Sequence, residues 1–99
     1  MDEDLLRTMA SLAVRDHESF DNNAVKWPRE VIVSLPRPLL TRIFQMAWEK
    51  VYSAGSVLSA SHLNAMIELL SKPRGKVIEL PYGYIFSTEY GLLRLGIGE

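Results

Sequence analysis

The strongest constraint on the fold is a wide apolar face that repeats at helical spacing near the middle of the chain. Its members are Leu39, Leu40, Ile43, Phe44, Ala47, Trp48, Val51 and Tyr52. Recurrence every three or four positions puts such side chains on one side of a helix. Pro36 and Pro38 suit the entry because proline is tolerated in the first helical turn. We therefore predict a helix over residues 38–53 whose aromatic stripe forms the main core face.

Two further helices are predicted on either side of this one. Apolar side chains recur at helical spacing near the N-terminus, and Phe20 and Ala24 continue the stripe, so a first helix is expected over residues 3–24. Ser59 suits the N-cap of a third helix over residues 60–72. The β-branched segment 30–34 is interpreted as a brief strand or an extended connector.

The apolar period changes from helical to alternating near the C-terminus. Two strand-like runs flank Pro81, Tyr82 and Gly83, where proline presets the first turn residue and glycine can adopt positive φ. A β-hairpin is expected over about 76–89, and a third strand over 92–96 stays open. The predicted fold class is α+β: about three helices followed by a small antiparallel β-hairpin or three-stranded sheet, in a single domain spanning residues 1–99.

Composition argues against several classes of site. The chain has no cysteine, hence no disulfide, thiolate metal site or thiol nucleophile. His17 and His62 fall on different predicted helices without a ligand-like carboxylate spacing, and no glycine-rich phosphate loop occurs. The chain alone is expected to have no catalytic residues, no metal and no cofactor. Missing cysteines, short apolar runs and an acidic N-terminus favour a cytoplasmic location.

The cations are distributed unevenly. The first 25 residues carry a net charge of -4, and the rest of the chain carries +3. Arg37 and Arg42 fall on the opening turns of the predicted second helix, where the helix dipole makes a cation mildly unfavourable. Lys72, Arg74 and Lys76 alternate in a loop that a proline stiffens. These residue types leave two interpretations open, contact with nucleic-acid phosphates or a plain solvated surface.

A series of short motifs, in order along the chain, bears on this choice. They read Leu35-Pro36, Leu39-Leu40-Thr41-Arg42, Leu58-Ser59, His62-Leu63, Leu69-Leu70, Gly75-Lys76, Leu80-Pro81-Tyr82-Gly83, and Tyr90 through Leu93. In this order they resemble the substrate-binding region of tRNA(Ile)-lysidine synthetase. Members of that family often have two adjacent arginines where this chain has Thr41 and Arg42.

The resemblance implies a tRNA-binding and tRNA-positioning domain. Family enzymes are ligases that use ATP to adenylate the wobble cytidine of a minor isoleucine tRNA, and lysine then displaces AMP. Their N-terminal ATP-pyrophosphatase domain has a Ser-Gly-Gly-x-Asp-Ser loop that this sequence lacks, so the resemblance implies a fragment. ATP and Mg would belong to that catalytic domain, which would be a partner beside tRNA. The implied tRNA-binding residues are Arg37, Arg42, Lys72, Arg74 and Lys76.

An alternative is a protein-interaction or dimerisation module that does not bind nucleic acid. Leu92, Leu93, Leu95 and Ile97 would then form an exposed apolar tail, or a free sheet edge would dock a partner or a second copy. An inert remnant of a truncated gene is a third option.

Overall fold

The described part of the chain contains four α-helices, one short 3-10 turn (Pro81–Gly83) and a five-stranded antiparallel sheet. The computed structural model describes residues 3–53, 55–72 and 76–98. The elements are α1 (Glu3–Val14), β1 (Ser19–Asp21), β2 (Ala24–Pro28), α2 (Arg29–Val33), α3 (Arg37–Val51), α4 (Ala60–Leu69), β3 (Val77–Glu79), β4 (Tyr84–Glu89) and β5 (Leu92–Ile97). The strand order is β1-β2-β5-β4-β3. The α+β class is confirmed, but the sheet has more strands than the two or three expected.

The core lies between the helices and one face of the sheet. Phe44 of α3 packs against Trp27 of β2 and Phe86 of β4, with ring centroids 5.8 and 5.1 Å apart. All three side chains are fully buried. The predicted central helix is confirmed as α3, and seven residues of its apolar face are buried: Leu39, Leu40, Ile43, Phe44, Ala47, Trp48 and Val51.

The first helix ends ten residues earlier than predicted. The amide N–H of Glu18 donates to the Val14 carbonyl at 2.8 Å, which closes α1. Asn22 and Asn23 then adopt positive φ angles of 53° and 56° and join β1 to β2. Asparagine tolerates this left-handed conformation, and two such residues in succession make a tight hairpin turn. The helix predicted over residues 15–24 was therefore wrong because this Asn-Asn pair forms a hairpin turn.

The segment after β2 also differs from its prediction. Residues 30–34 were interpreted as a strand or an extended connector, whereas Arg29–Val33 is a short helix, α2. Its Ile32 is fully buried in the core, and the Arg29 amide donates to the Gly91 carbonyl at 2.9 Å. These tertiary contacts override the β preference of a branched sequence.

The later elements agree more closely with the prediction from the sequence. Ser59 caps α4 as predicted, since its hydroxyl accepts a hydrogen bond from the His62 amide. The predicted C-terminal hairpin forms from β3 and β4. The third strand, which the sequence left undecided, is β5, and it pairs with both β4 and β2. Leu93 and Leu95 lie on the face of β5 that packs in the core, and both are fully buried. The expected exposed apolar tail was therefore wrong for these two residues.

A candidate nucleic-acid interface

Two arginines are bound to α4 through neutral acceptors. The guanidinium of Arg37, in the first turn of α3, donates to the Asn64 side-chain carbonyl. The guanidinium of Arg29 donates to the main-chain carbonyl of Leu70, at the C-terminal end of α4. Asn64 and Leu70 are six positions apart, which corresponds to about 9 Å along the helix axis and about 120° around it. A carbonyl orients a guanidinium without neutralising it, and further N–H donors stay available on each arginine.

Two lysines extend this group of cations. Lys72 follows α4 directly, and its amide donates to the Leu69 carbonyl at 3.1 Å. Lys76 precedes β3, which packs against α4. Ile78 of β3 packs against the core, and Lys76 lies two residues before it. Both lysines are exposed. We call the set Arg29, Arg37, Lys72 and Lys76 the α4 flank.

The four cations of the α4 flank form no ion pair with an acid among the described residues. In residues 3–53, 55–72 and 76–98, each ion pair closer than 4 Å uses a different cation: Arg7, Arg15, Arg42 or Lys50. Exposed acids are nonetheless close in sequence, at Glu30, Glu68 and Glu89. They limit the overall positive potential, so an anion would be held by individual contacts rather than by a broad field.

Arg42 lies apart from the α4 flank. Its Nη2 contacts the Glu3 carboxylate of α1 at 2.6 Å, and the arginine is half-buried. The acid also compensates the unfavourable position of a cation near a helix N-terminus. Arg74, the fifth residue of the predicted set, lies outside the described residues.

Sequence reasoning missed Arg29. It directly precedes the segment 30–34, and its contact with Leu70 joins residues 41 positions apart. Local patterns carry no information about such a pairing. The available signal was limited to a cation directly after Pro28, a proline that suits a helix start.

Two exposed tyrosines lie at left-handed backbone positions in hairpin turns. Tyr82 has a φ of 63°, and its ring stacks on Tyr52 with centroids 4.6 Å apart and planes 10° from parallel. The pKa of Tyr52 is raised, most strongly by burial and to a smaller extent by the nearby Tyr82 and Tyr84. Tyr90 has a φ of 48° and is fully exposed in the turn between β4 and β5. That turn touches the α4 flank because Gly91 accepts the hydrogen bond of the Arg29 amide.

A second pair of cations lies on the other face of the sheet. Lys26 and Arg94 are direct cross-strand neighbours on β2 and β5. Arg94 bends along its own strand and donates to the Ile97 carbonyl at 3.2 Å. The alternation of the strands puts Asp21 and Glu79 on the same face. The acids offset the cations, so this face is a weaker candidate for binding an anion.

Metal-ligating side chains do not cluster in the described part of the chain. Among those residues, no group of three or more His, Cys, Asp or Glu side chains is placed to hold a metal ion. His62 instead contacts the Ser59 hydroxyl at the cap of α4. None of the helices within the described ranges is long and apolar enough to cross a membrane. Neither the scan against protein-family models nor the search of the curated proteins found a match for this chain.

Proposed function

We propose that this protein binds folded RNA through the α4 flank and acts as a tRNA-positioning domain. The observation that carries the proposal is the gathering of four cations around α4 without a described carboxylate partner. Two of them are arginines already oriented by neutral carbonyl groups. Phosphate oxygens accept hydrogen bonds from guanidinium and ammonium groups, and such contacts fix the orientation of a nucleic acid.

The near-neutral charge of the whole chain suits local recognition of this kind. A net charge of -1 gives little long-range attraction to RNA, so affinity would come from the few contacts at the flank. Folded RNA is recognised largely through its shape, phosphates and 2′-hydroxyls. Spaced cations beside a helix suit that task because they can contact a phosphate backbone without reading base edges.

The sequence resemblance supplies the biological role in this proposal. In a lysidine synthetase, a domain of this kind would hold the tRNA body while a separate ATP-dependent domain modifies the wobble cytidine. Positioning alone can supply a large part of a rate enhancement. Arg42 would contribute less than the flank because Glu3 competes for its guanidinium. The predicted contribution of Arg74 stays part of the proposal.

Salt dependence of RNA binding tests the proposal. Four phosphate contacts predict a log–log slope of about -2.8 to -3.6, so affinity for a tRNA should fall about 50- to 150-fold between 50 and 200 mM salt. Fluorescence anisotropy with labelled tRNA measures this slope. An affinity that is insensitive to salt, or no binding at about 50 mM salt, would contradict the proposal.

Substitutions in the α4 flank test which residues contact the RNA. The double substitution Lys72→Ala/Lys76→Ala should make the slope shallower by about 1.5–2 and weaken binding to many RNAs alike. The matched double variant Arg15→Ala/Lys26→Ala removes the same net charge from positions outside the flank. Equal losses in both double variants would mean that net charge, not the flank, determines binding.

A different surface supports protein interaction as a second candidate function. Leu5, Met9 and Leu12 form a stripe of exposed apolar side chains on α1, with exposed fractions of 48, 38 and 58%. A groove of about 360 Å³ runs beside α1, lined in part by Phe20 and Met46. Sedimentation velocity distinguishes the two functions: a tight dimer that ignores tRNA, and that Leu12→Asp dissociates, would favour this alternative.

A further inference from the structure

Tyr90 combines full exposure with a costly backbone conformation. Its φ of 48° is left-handed, and Gly91 follows at 80°. A two-residue turn of this kind favours asparagine or glycine at the first position, because a large side chain is strained there. The ring makes no hydrogen bond or ring contact with any described residue. The fold therefore gains nothing visible from a tyrosine here.

Tyr82 is the natural comparison within the same chain. It also occupies a left-handed position, with a φ of 63°. Its ring, however, lies flat on Tyr52 and so contributes to packing at the end of α3. One of the two left-handed tyrosines thus has a structural reason to be aromatic, and Tyr90 lacks one.

The position of Tyr90 joins it to the α4 flank. Gly91 accepts the Arg29 amide hydrogen bond at 2.9 Å, and the Arg29 side chain reaches Leu70, two residues before Lys72. These two hydrogen bonds link the tip of the β4–β5 turn to Arg29 and, through Arg29, to the C-terminal end of α4. Aromatic rings beside basic side chains are typical of surfaces that stack nucleobases while holding phosphates.

We propose that Tyr90 stacks on an unpaired base of the RNA whose phosphates the α4 flank holds. This inference rests on the proposed function and specifies its substrate class. Bases inside a continuous duplex have both faces covered by their neighbours, whereas loops and bulges can present a free face. The protein accordingly prefers RNA with an accessible unpaired base near a phosphate backbone over a fully paired helix.

The substitution Tyr90→Asn gives a clean test because Asn-Gly is a favoured turn sequence and preserves the fold. Loss of one stacked base should weaken binding to a stem–loop RNA by about 5- to 150-fold. Binding to a long, fully paired duplex should change little. The salt slope should stay as in the unsubstituted protein, since no phosphate contact is removed. Tyr90→Trp should retain affinity, and stem–loop RNA should quench the emission of the introduced, exposed indole.

Controls separate this inference from the proposed function. Tyr82→Asn removes an exposed tyrosine from a left-handed turn that lies at the other end of β4, and it should leave RNA affinity unchanged. If the unsubstituted protein binds RNA with the expected salt slope but Tyr90→Asn binds the stem–loop equally well, only the stacking inference fails. Equal losses for stem–loop and duplex would also overturn it. Absence of any RNA binding overturns both, and a dimer that Tyr90→Asn abolishes would assign the ring to a protein contact.

Discussion

Glu18 offers a sharp test of the β1–β2 hairpin, the part of the fold that differs most from the sequence prediction. Its carboxylate accepts a hydrogen bond of 2.8 Å from the indole N–H of Trp27, which is fully buried. The other carboxylate oxygen pairs with Lys50 on α3. The register of the hairpin, in which Ser19 pairs with Lys26, places Glu18 opposite Trp27. The contact therefore depends on the hairpin.

Replacing Glu18 by alanine leaves the buried indole N–H without an acceptor. The cost of such an unpaired donor is about 1–3 kcal/mol. The ion pair adds about 1 kcal/mol at most, because the Lys50 side chain is 49% exposed. A combined loss of about 2 kcal/mol should lower the Tm by about 8–16 °C in a domain of this size. Glu18→Gln keeps an oxygen for the indole and loses the ion pair alone, so it should lower the Tm by about 8 °C at most.

Urea unfolding followed by tryptophan fluorescence measures both variants, and Trp27 and Trp48 are the sole tryptophans of the chain. Circular dichroism at a matched temperature checks that each variant is folded. The reasoning fails if the alanine and glutamine variants have the same free energy of unfolding, because the indole acceptor would then contribute nothing.

Three further predictions concern the cap, the tyrosine stack and the acids near the flank. Ser59→Ala should lower the free energy of unfolding by about 1 kcal/mol, measured in urea, since the His62 amide loses its acceptor. The raised pKa of Tyr52 means that the fold favours its protonated form. Stability should be full below about pH 10 and fall as the pH rises further, and Tyr52→Phe should reduce that fall, measured as Tm against pH. An equal fall in both proteins would contradict this. Glu89→Gln should strengthen tRNA binding about two- to three-fold at low salt and have no effect at high salt, where screening is strong.

Local sequence patterns were sufficient to predict an element wherever residues within or next to that element determined its structure. The apolar face of α3 required nothing beyond helical spacing, and Ser59 required nothing beyond a cap before an apolar run. The β3–β4 hairpin followed from proline and glycine in the turn, and the pairing of β5 extended it. In each case the deciding residues lie within a few positions of one another.

The missed features depend on contacts between distant residues. Arg29 reaches Leu70 across 41 positions, and Arg42 finds Glu3 across 39. Neither pairing leaves a trace in spacing or composition, so no local pattern indicated either contact. The β1–β2 hairpin was a different kind of error. Asn22 and Asn23 were interpreted as a weak helix end, although two left-handed residues in succession favour a hairpin turn.

Mapping the RNA contact by NMR tests the central claim most directly. Titrating a tRNA into ¹⁵N-labelled protein should perturb the amide signals of Arg29, Leu70, Lys72, Lys76 and Gly91, which belong to the α4 flank or contact it. Signals near the Glu3–Arg42 pair should stay in place. Perturbation confined to Lys26 and Arg94, or to the apolar stripe of α1, would contradict the account, as would unchanged spectra at low salt.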